Sequence, residues 1–223
     1  VTGGQVDGCF DDTPILKYNI KIGELDMKFV EGTENEPAQY GFAIFDSAKQ
    51  ELVDKFEVLP KDIHWHMIGH LQRNKVKDVV GKVHLIHSVD SLRLAEEISK
   101  ESAKKNIVTD VLIEVNIAQE DSKFGFSFEE CRRMLASGEW KNLKNVSLCG
   151  VMGMATYTED EEEIQKEFQS LSLFFQEIKQ AYFNEDPAFK EISMGMSDDY
   201  PIAIEHGSTL VRIGSRIFGN RYY

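Results

Sequence analysis

Two short stretches near the C-terminal end combine residue types that suit an anion. Val211-Arg212-Ile213-Gly214-Ser215 ends an apolar run with a glycine, where backbone amides can approach a phosphate closely, and a serine, which adds a hydroxyl. Ser193-Met194-Gly195-Met196-Ser197-Asp198-Asp199 repeats the combination at the end of the preceding run. Taken singly, Gly214 is a turn residue, and Ser197 or Asp198 is a helix N-cap. Two adjacent strand ends that each offer glycine, a hydroxyl and a helix start form a phosphate site of the kind that barrels build after their last two strands. Arg212 precedes the second loop on the strand itself. Pointed inward, its guanidinium needs buried acceptors; otherwise it is a structural ion pair.

His64, His66 and His70 are clustered, and His64 and His66 share a face on a strand. No cysteine pair or carboxylate set accompanies them at ligand spacing, so His66 is expected as a polar group in a pocket mouth or as a satisfied core residue, not as a metal ligand. Met152 and Met154, at strand spacing, either line an aromatic ligand or pack in a core. Cys9, Cys131 and Cys149 are odd in number and far apart, without a C-x-x-C pair, which suits structural thiols in a reducing compartment. No Ser-His-Asp order, phosphate-binding Walker loop or paired-carboxylate motif stands out.

Positioning these residues requires strands that end side by side. From about residue 50 onward, helical patterns alternate with short apolar runs, the signature of βα units around a parallel sheet. Helices are predicted over 47–59, 91–106, 127–137, 161–183 and 198–206, with a basic helix through Asn74, Lys75 and Lys77. Strands are predicted over 64–69, 84–88, 110–117, 146–154, 191–196 and 210–213. The run over 110–117 reads as the clearest buried strand. Six strands follow residue 60, and 15–22 and 39–45 complete eight. The expected fold is therefore a TIM-type (β/α)8 barrel in one domain, 1–223, short against the roughly 250 residues typical of that fold. An open doubly wound sheet is the alternative.

Composition limits the partners. Across 223 residues, 25 Lys+Arg against 38 Asp+Glu leave a net charge of −13. A broad basic surface for nucleic acid or anionic membranes is thereby excluded, while a local anion site is not. No run approaches the roughly 18 apolar residues of a membrane span. The opening stretch has neither a charged nor an apolar leader region, so a cytoplasmic location is expected.

Four ordered segments carry a family resemblance: Trp65-His66-Met67-Ile68-Gly69-His70-Leu71-Gln72-Arg73-Asn74-Lys75, Gly150-Val151-Met152-Gly153-Met154, the segment from Ser193 to Asp199, and Gly207-Ser208-Thr209-Leu210-Val211-Arg212-Ile213-Gly214-Ser215. They closely resemble the pyridoxal phosphate homeostasis protein family, the single-domain relative of the alanine racemase N-terminal barrel. The likeness runs from about residue 50 to 223, and the wording of 118–126 is most like that of members from Bacteroidetes-type bacteria. It implies a barrel holding pyridoxal 5′-phosphate, with a role in cofactor storage or delivery to apo-enzymes and no robust catalysis. The alternative is a racemase-like enzyme acting on amino acids. Carried over, Ser197, Gly214 and Ser215 hold the phosphate and Arg212 faces the pyridine nitrogen; His66 and Met152, from the reading of the residues above, are the candidates to line the pocket. A monomer or weak dimer is expected.

The front of the chain departs from the family pattern. In the family, a strand ending Val-Ser-Lys carries the Schiff-base lysine, and no Val-Ser-Lys occurs here. Counting back from Gln50 places that lysine between Lys21 and Lys28. Lys21, near the end of an apolar run where burial would lower its pKa, is the candidate, with Lys17 and Lys28 as alternatives and a solvated surface lysine as the plain reading of each. Residues 1–45 are accordingly expected to be atypical of the family.

Overall fold

The computed structural model describes residues 41–44, 64–118 and 124–218. Lys17, Lys21, Lys28, Cys9, the strand expected over 15–22 and the helix expected over 47–59 lie outside them. The described strands are β1 (Gly41–Ile44), β2 (His64–Met67), β3 (Leu85–Val89), β4 (Thr109–Glu114), β5 (Val146–Met152), β6 (Glu191–Met196) and β7 (Leu210–Arg212). Each pairs in parallel with its neighbour in sequence, so the sheet runs from β1 to β7 without a reversal. A doubly wound sheet must reverse its winding at a switch point. This one does not, and it forms the wall of a barrel.

A single contact shows the curl of that wall. His87 on β3 and Ser193 on β6 are three strands apart, about 14 Å on a flat sheet at the usual spacing. Their side chains are nevertheless hydrogen-bonded at 2.8 Å. Only a sheet rolled about the His87 and Ser193 face brings them together.

The helices are α1 (Val76–Val79), α2 (Leu92–Lys104), α3 (Phe128–Ser137), α4 (Glu161–Tyr182), α5 (Tyr200–Glu205) and α6 (Ser215–Phe218). Their starts follow the capping chemistry of the sequence. Ser91 accepts the Leu94 amide, and Ser127 and Glu130 form a reciprocal capping box. Asp160 accepts the amides of Glu162 and Glu163 at the acidic start of α4. The larger core lies between wall and helices: Val111, Ile113, Val151, Ile192 and Met194 from the strands meet Leu94, Ile98, Phe168, Leu171 and Phe175. An aromatic stack closes one side, with Phe189 between Phe175 at 5.2 Å and Phe183 at 3.9 Å. Among the described residues no helix is long and apolar enough to cross a membrane.

Several boundaries differ from the sequence reading; the strand expected to reach residue 69, for one, ends at Met67. The strand expected to reach residue 117 ends at Glu114, where Phe126 forms an isolated bridge with Val115: the Phe126 amide donates to Glu114 O and the Asn116 amide to Phe126 O. The strand expected to reach 154 ends at Met152. The last short helix begins at Tyr200, with Pro201 in its first turn where no amide is required, and its N-cap is Asp199, not Ser197 or Asp198.

Within β5 the register against β4 shifts at Gly150. The glycine has φ 153°, and a Cβ there would lie 1.8 Å from the Glu191 carbonyl oxygen. This irregularity resets the alternation: Leu148 and Val151 join the outer core, whereas Cys149 and Met152 both face inward with Leu85 and Leu112.

Candidate functional site

Inward-facing positions on four strands carry polar side chains that touch in series. Arg212 of β7 donates from Nη1 to Ser193 Oγ of β6 at 2.7 Å and from Nη2 to the Gly153 carbonyl at 3.0 Å. Ser193 Oγ is 2.8 Å from His87 Nδ1 on β3, and His87 Nε2 is 2.9 Å from His66 Nδ1 on β2. Burial governs the charge of each group. Arg212 is only 8% exposed, and desolvation pulls its guanidinium down to about 10, opposed by Asp199 and Glu114, so it remains a cation at neutral pH. Desolvation, reinforced by His66 and Arg212, holds His87 well below the ordinary histidine range. His66 falls to about 4 through burial and then through His84 and His64. Both imidazoles are neutral, and the series carries one positive charge, at Arg212.

The two loops picked out for an anion meet above Arg212. The Gly214 amide donates to Ser197 Oγ at 3.1 Å, joining the loop after β6 to the loop after β7. Ser197 is buried, whereas Ser215 is exposed at the start of α6. Gly195, at φ 95°, lets this loop turn against α5: a Cβ there would lie 2.6 Å from Ala203 Cβ. Over Gly214 a Cβ would meet nothing within 4 Å, so its Cα borders open space, while its amide is held by Ser197.

A third group sits at the ends of β2, β3 and β4. Glu114 is 4% exposed and shares a register row with Met152 and, through it, with Ser193. Its Oε2, like Asn116 Oδ1, is buried without a hydrogen-bond partner among the described residues. Burial, then the neighbouring Asp90, pushes the Glu114 carboxyl up to about 7, with Arg212 opposing. His70 Nδ1 lies 3.3 Å from Asp90 Oδ2, and its ring stacks on Phe124 at 4.0 Å.

Of the residues singled out in the sequence, the structure brings together His66 and Arg212, through His87 and Ser193, and separately Ser197 and Gly214. Met152 is fully buried and faces inward, with Met154 packed against its cluster. Lys21 lies outside the described residues. The three clustered histidines separate: His64 stacks on His84 at 4.6 Å, His66 turns to His87, and His70 sits under Phe124. Cys131 and Cys149 are buried free thiols, pushed up to about 12 and about 11 by desolvation. Sequence reasoning missed His87, Ser193 and Glu114. The signal was present: a histidine and a glutamate inside otherwise apolar, fully buried strands are costly unless they serve one another or a ligand.

Residues 43–222 match the family described as alanine racemase, N-terminal domain. A pyridoxal phosphate homeostasis protein of Aquifex aeolicus is 44% identical over 176 residues, which are 78% of this chain and 75% of that protein. The chain belongs to the pyridoxal phosphate homeostasis protein family. The Synechocystis member is 35% identical over 82% of this chain and 84% of its own. Among solved structures, PipY of Synechococcus elongatus without PLP superimposes with a TM-score of 0.73 at 28% identity, covering 84% of this chain and 83% of that one. The same protein with PLP bound gives 0.69. The family likeness thus spans every strand from β2 to β7.

Proposed function

We propose that this protein binds pyridoxal 5′-phosphate at the mouth of the barrel and stores or delivers it within the cell. The observation that carries the reading is the donor set at two adjacent strand ends: the Ser197 hydroxyl held by the Gly214 amide, the exposed Ser215 hydroxyl beside a glycine whose Cα borders open space, and the buried guanidinium of Arg212. These groups suit the cofactor. The two hydroxyls would take the phosphate, with Gly214 leaving room for it, Arg212 would face the ring nitrogen, and His66 and Met152 would line the ring. The cofactor of PipY supports the reading by kinship.

The cofactor supplies an electron sink only as far as its ring nitrogen is protonated. Arg212 is donor-only and stays charged, so it disfavours that proton and favours carriage over carbanion chemistry. The whole chain, 1–223, would act as one cofactor-binding domain in the cytoplasm, as a monomer or weak dimer handing cofactor to apo-enzymes. Adding pyridoxal phosphate to the purified chain should give an absorbance band near the visible edge that borohydride fixes onto one lysine, with Lys21 the candidate and Lys17 and Lys28 the alternatives. No band, no mass shift and no affinity would overturn the proposal.

One observation favours a second reading, a racemase-like enzyme: Glu114, with its carboxyl at about 7 and a free oxygen, has the profile of a proton acceptor at the mouth. Incubation of the loaded protein with amino acids in deuterated water separates the two. Steady exchange of the α-proton supports the enzyme, and its absence supports the carrier.

A further inference from the structure

We infer that Ser193, His87 and His66 form a one-way hydrogen-bond relay whose role is to position Arg212, a role that rests on the cofactor reading above. The direction follows from counting hydrogens. Arg212 can only donate, so Ser193 Oγ accepts from it. If His87 Nδ1 carried a hydrogen it would donate to the same oxygen, and the single hydrogen of Ser193 would face two donors and, among the described residues, no acceptor. The arrangement that leaves no hydrogen stranded has Ser193 donating to a bare His87 Nδ1. His87 must then carry its hydrogen on Nε2 and give it to a bare His66 Nδ1, which fixes the Nε2–H tautomer of His66 as well.

Each bond points away from Arg212, so the dipoles align and strengthen one another. Oxygen density is thereby directed onto Nη1, while Nη2 is held by the Gly153 carbonyl. The guanidinium plane is fixed by two acceptors, one on β6 and one just past the end of β5. His87 and Ser193 are 2% and 0% exposed, which removes water as a competing partner. They touch Arg212 directly or through one atom, and they act as positioning residues.

The first test needs no cofactor. Nitrogen-15 NMR of the free, full-length protein should show Nε2–H tautomers at both His66 and His87 near pH 7; an Nδ1–H tautomer at His87 overturns the relay outright. The second test uses the protein loaded with pyridoxal phosphate. Ser193→Ala and His87→Leu should weaken cofactor binding by about tenfold, the scale of one hydrogen bond to a charged group, and move the absorbance maximum of the bound cofactor. Ser193→Thr, which keeps the hydroxyl, should restore both. Ser197→Ala should weaken binding without moving the maximum. Variants with native circular dichroism, wild-type affinity and an unmoved maximum would refute the positioning role. A wild-type chain that shows no band at all removes the cofactor reading instead, and the tautomer measurement still decides whether the relay exists.

Discussion

Ser197 and Gly214 hold each other across two loops: the amide of one donates to the hydroxyl of the other at 3.1 Å, seventeen positions apart in sequence. A phosphate entering above Gly214 would meet the Ser197 hydroxyl already held in place by that amide, with its own hydrogen still to give. Replacing Ser197 by alanine should reduce affinity for pyridoxal phosphate roughly tenfold, in line with one hydrogen bond to a charged acceptor. Titration by cofactor fluorescence checks it, and an unchanged Kd would remove Ser197 from the phosphate site.

The depressed histidines make the barrel sensitive to acid. His66 titrates at about 4 in the fold against an ordinary 6.5, so between those values the unfolded chain binds more protons. Its contribution is complete above about pH 6.5 and is lost as pH falls toward 4; His87 and His84 act in the same direction. Urea midpoints measured from pH 7 down to 4.5 should fall, and His66→Gln should flatten that dependence.

Glu114 has the opposite sign. Its folded pKa, about 7, lies above the ordinary carboxyl value, so the fold keeps a proton that the unfolded chain has released. Stability from this group is therefore full below about pH 4.5 and declines as pH rises through 7. Glu114→Gln should stabilise the protein at pH 8 by on the order of 3 kcal/mol, because each pH step between the ordinary and folded values is worth about 1.36 kcal/mol, with almost no change at pH 4.5. Thermal melts at the two values provide the comparison; equal Tm gains at both would contradict the assignment.

Gly195 is a backbone requirement. At φ 95°, with Ala203 Cβ 2.6 Å and Tyr200 Cα 3.0 Å from the place a Cβ would occupy, an alanine has neither the conformation nor the room. Gly195→Ala should cost about 3 kcal/mol, or about 6–12 °C in Tm for a chain this size. It should also loosen the loop that carries Ser197, so calorimetry and cofactor affinity ought to decline together.

The strand order, most helix starts and the meeting of two glycine-serine loops were legible in the sequence because each rests on local chemistry. Ser91, Ser127 and Asp160 announce their helices, and a β-branched run such as Val111-Leu112-Ile113 announces a covered strand. The meeting of the Ser197 and Gly214 loops was legible because both stretches place glycine and serine at the ends of adjacent strands. The polar interior was harder to read, since whether His87 or Glu114 faces the axis depends on register among four strands. One irregularity, at Gly150, places Cys149 and Met152 on the same side against simple alternation. Likewise, nothing in residues 193–199 tells Ser197 as a cap from Ser197 as a partner of Gly214. That choice is made by a strand pairing, Met196 with Arg212, and not by the local sequence.

Among the described residues, the buried apolar side chains inside the wall form one small cluster of Leu85, Leu112, Cys149 and Met152, whereas the helices press most of the large side chains against its outer surface. Folding and ligand choice are therefore written on opposite faces of the same strands. Alternate positions can change what the pocket prefers while the neighbouring ones keep the shell intact, so this barrel can drift toward new ligands by point substitution long before its architecture is put at risk.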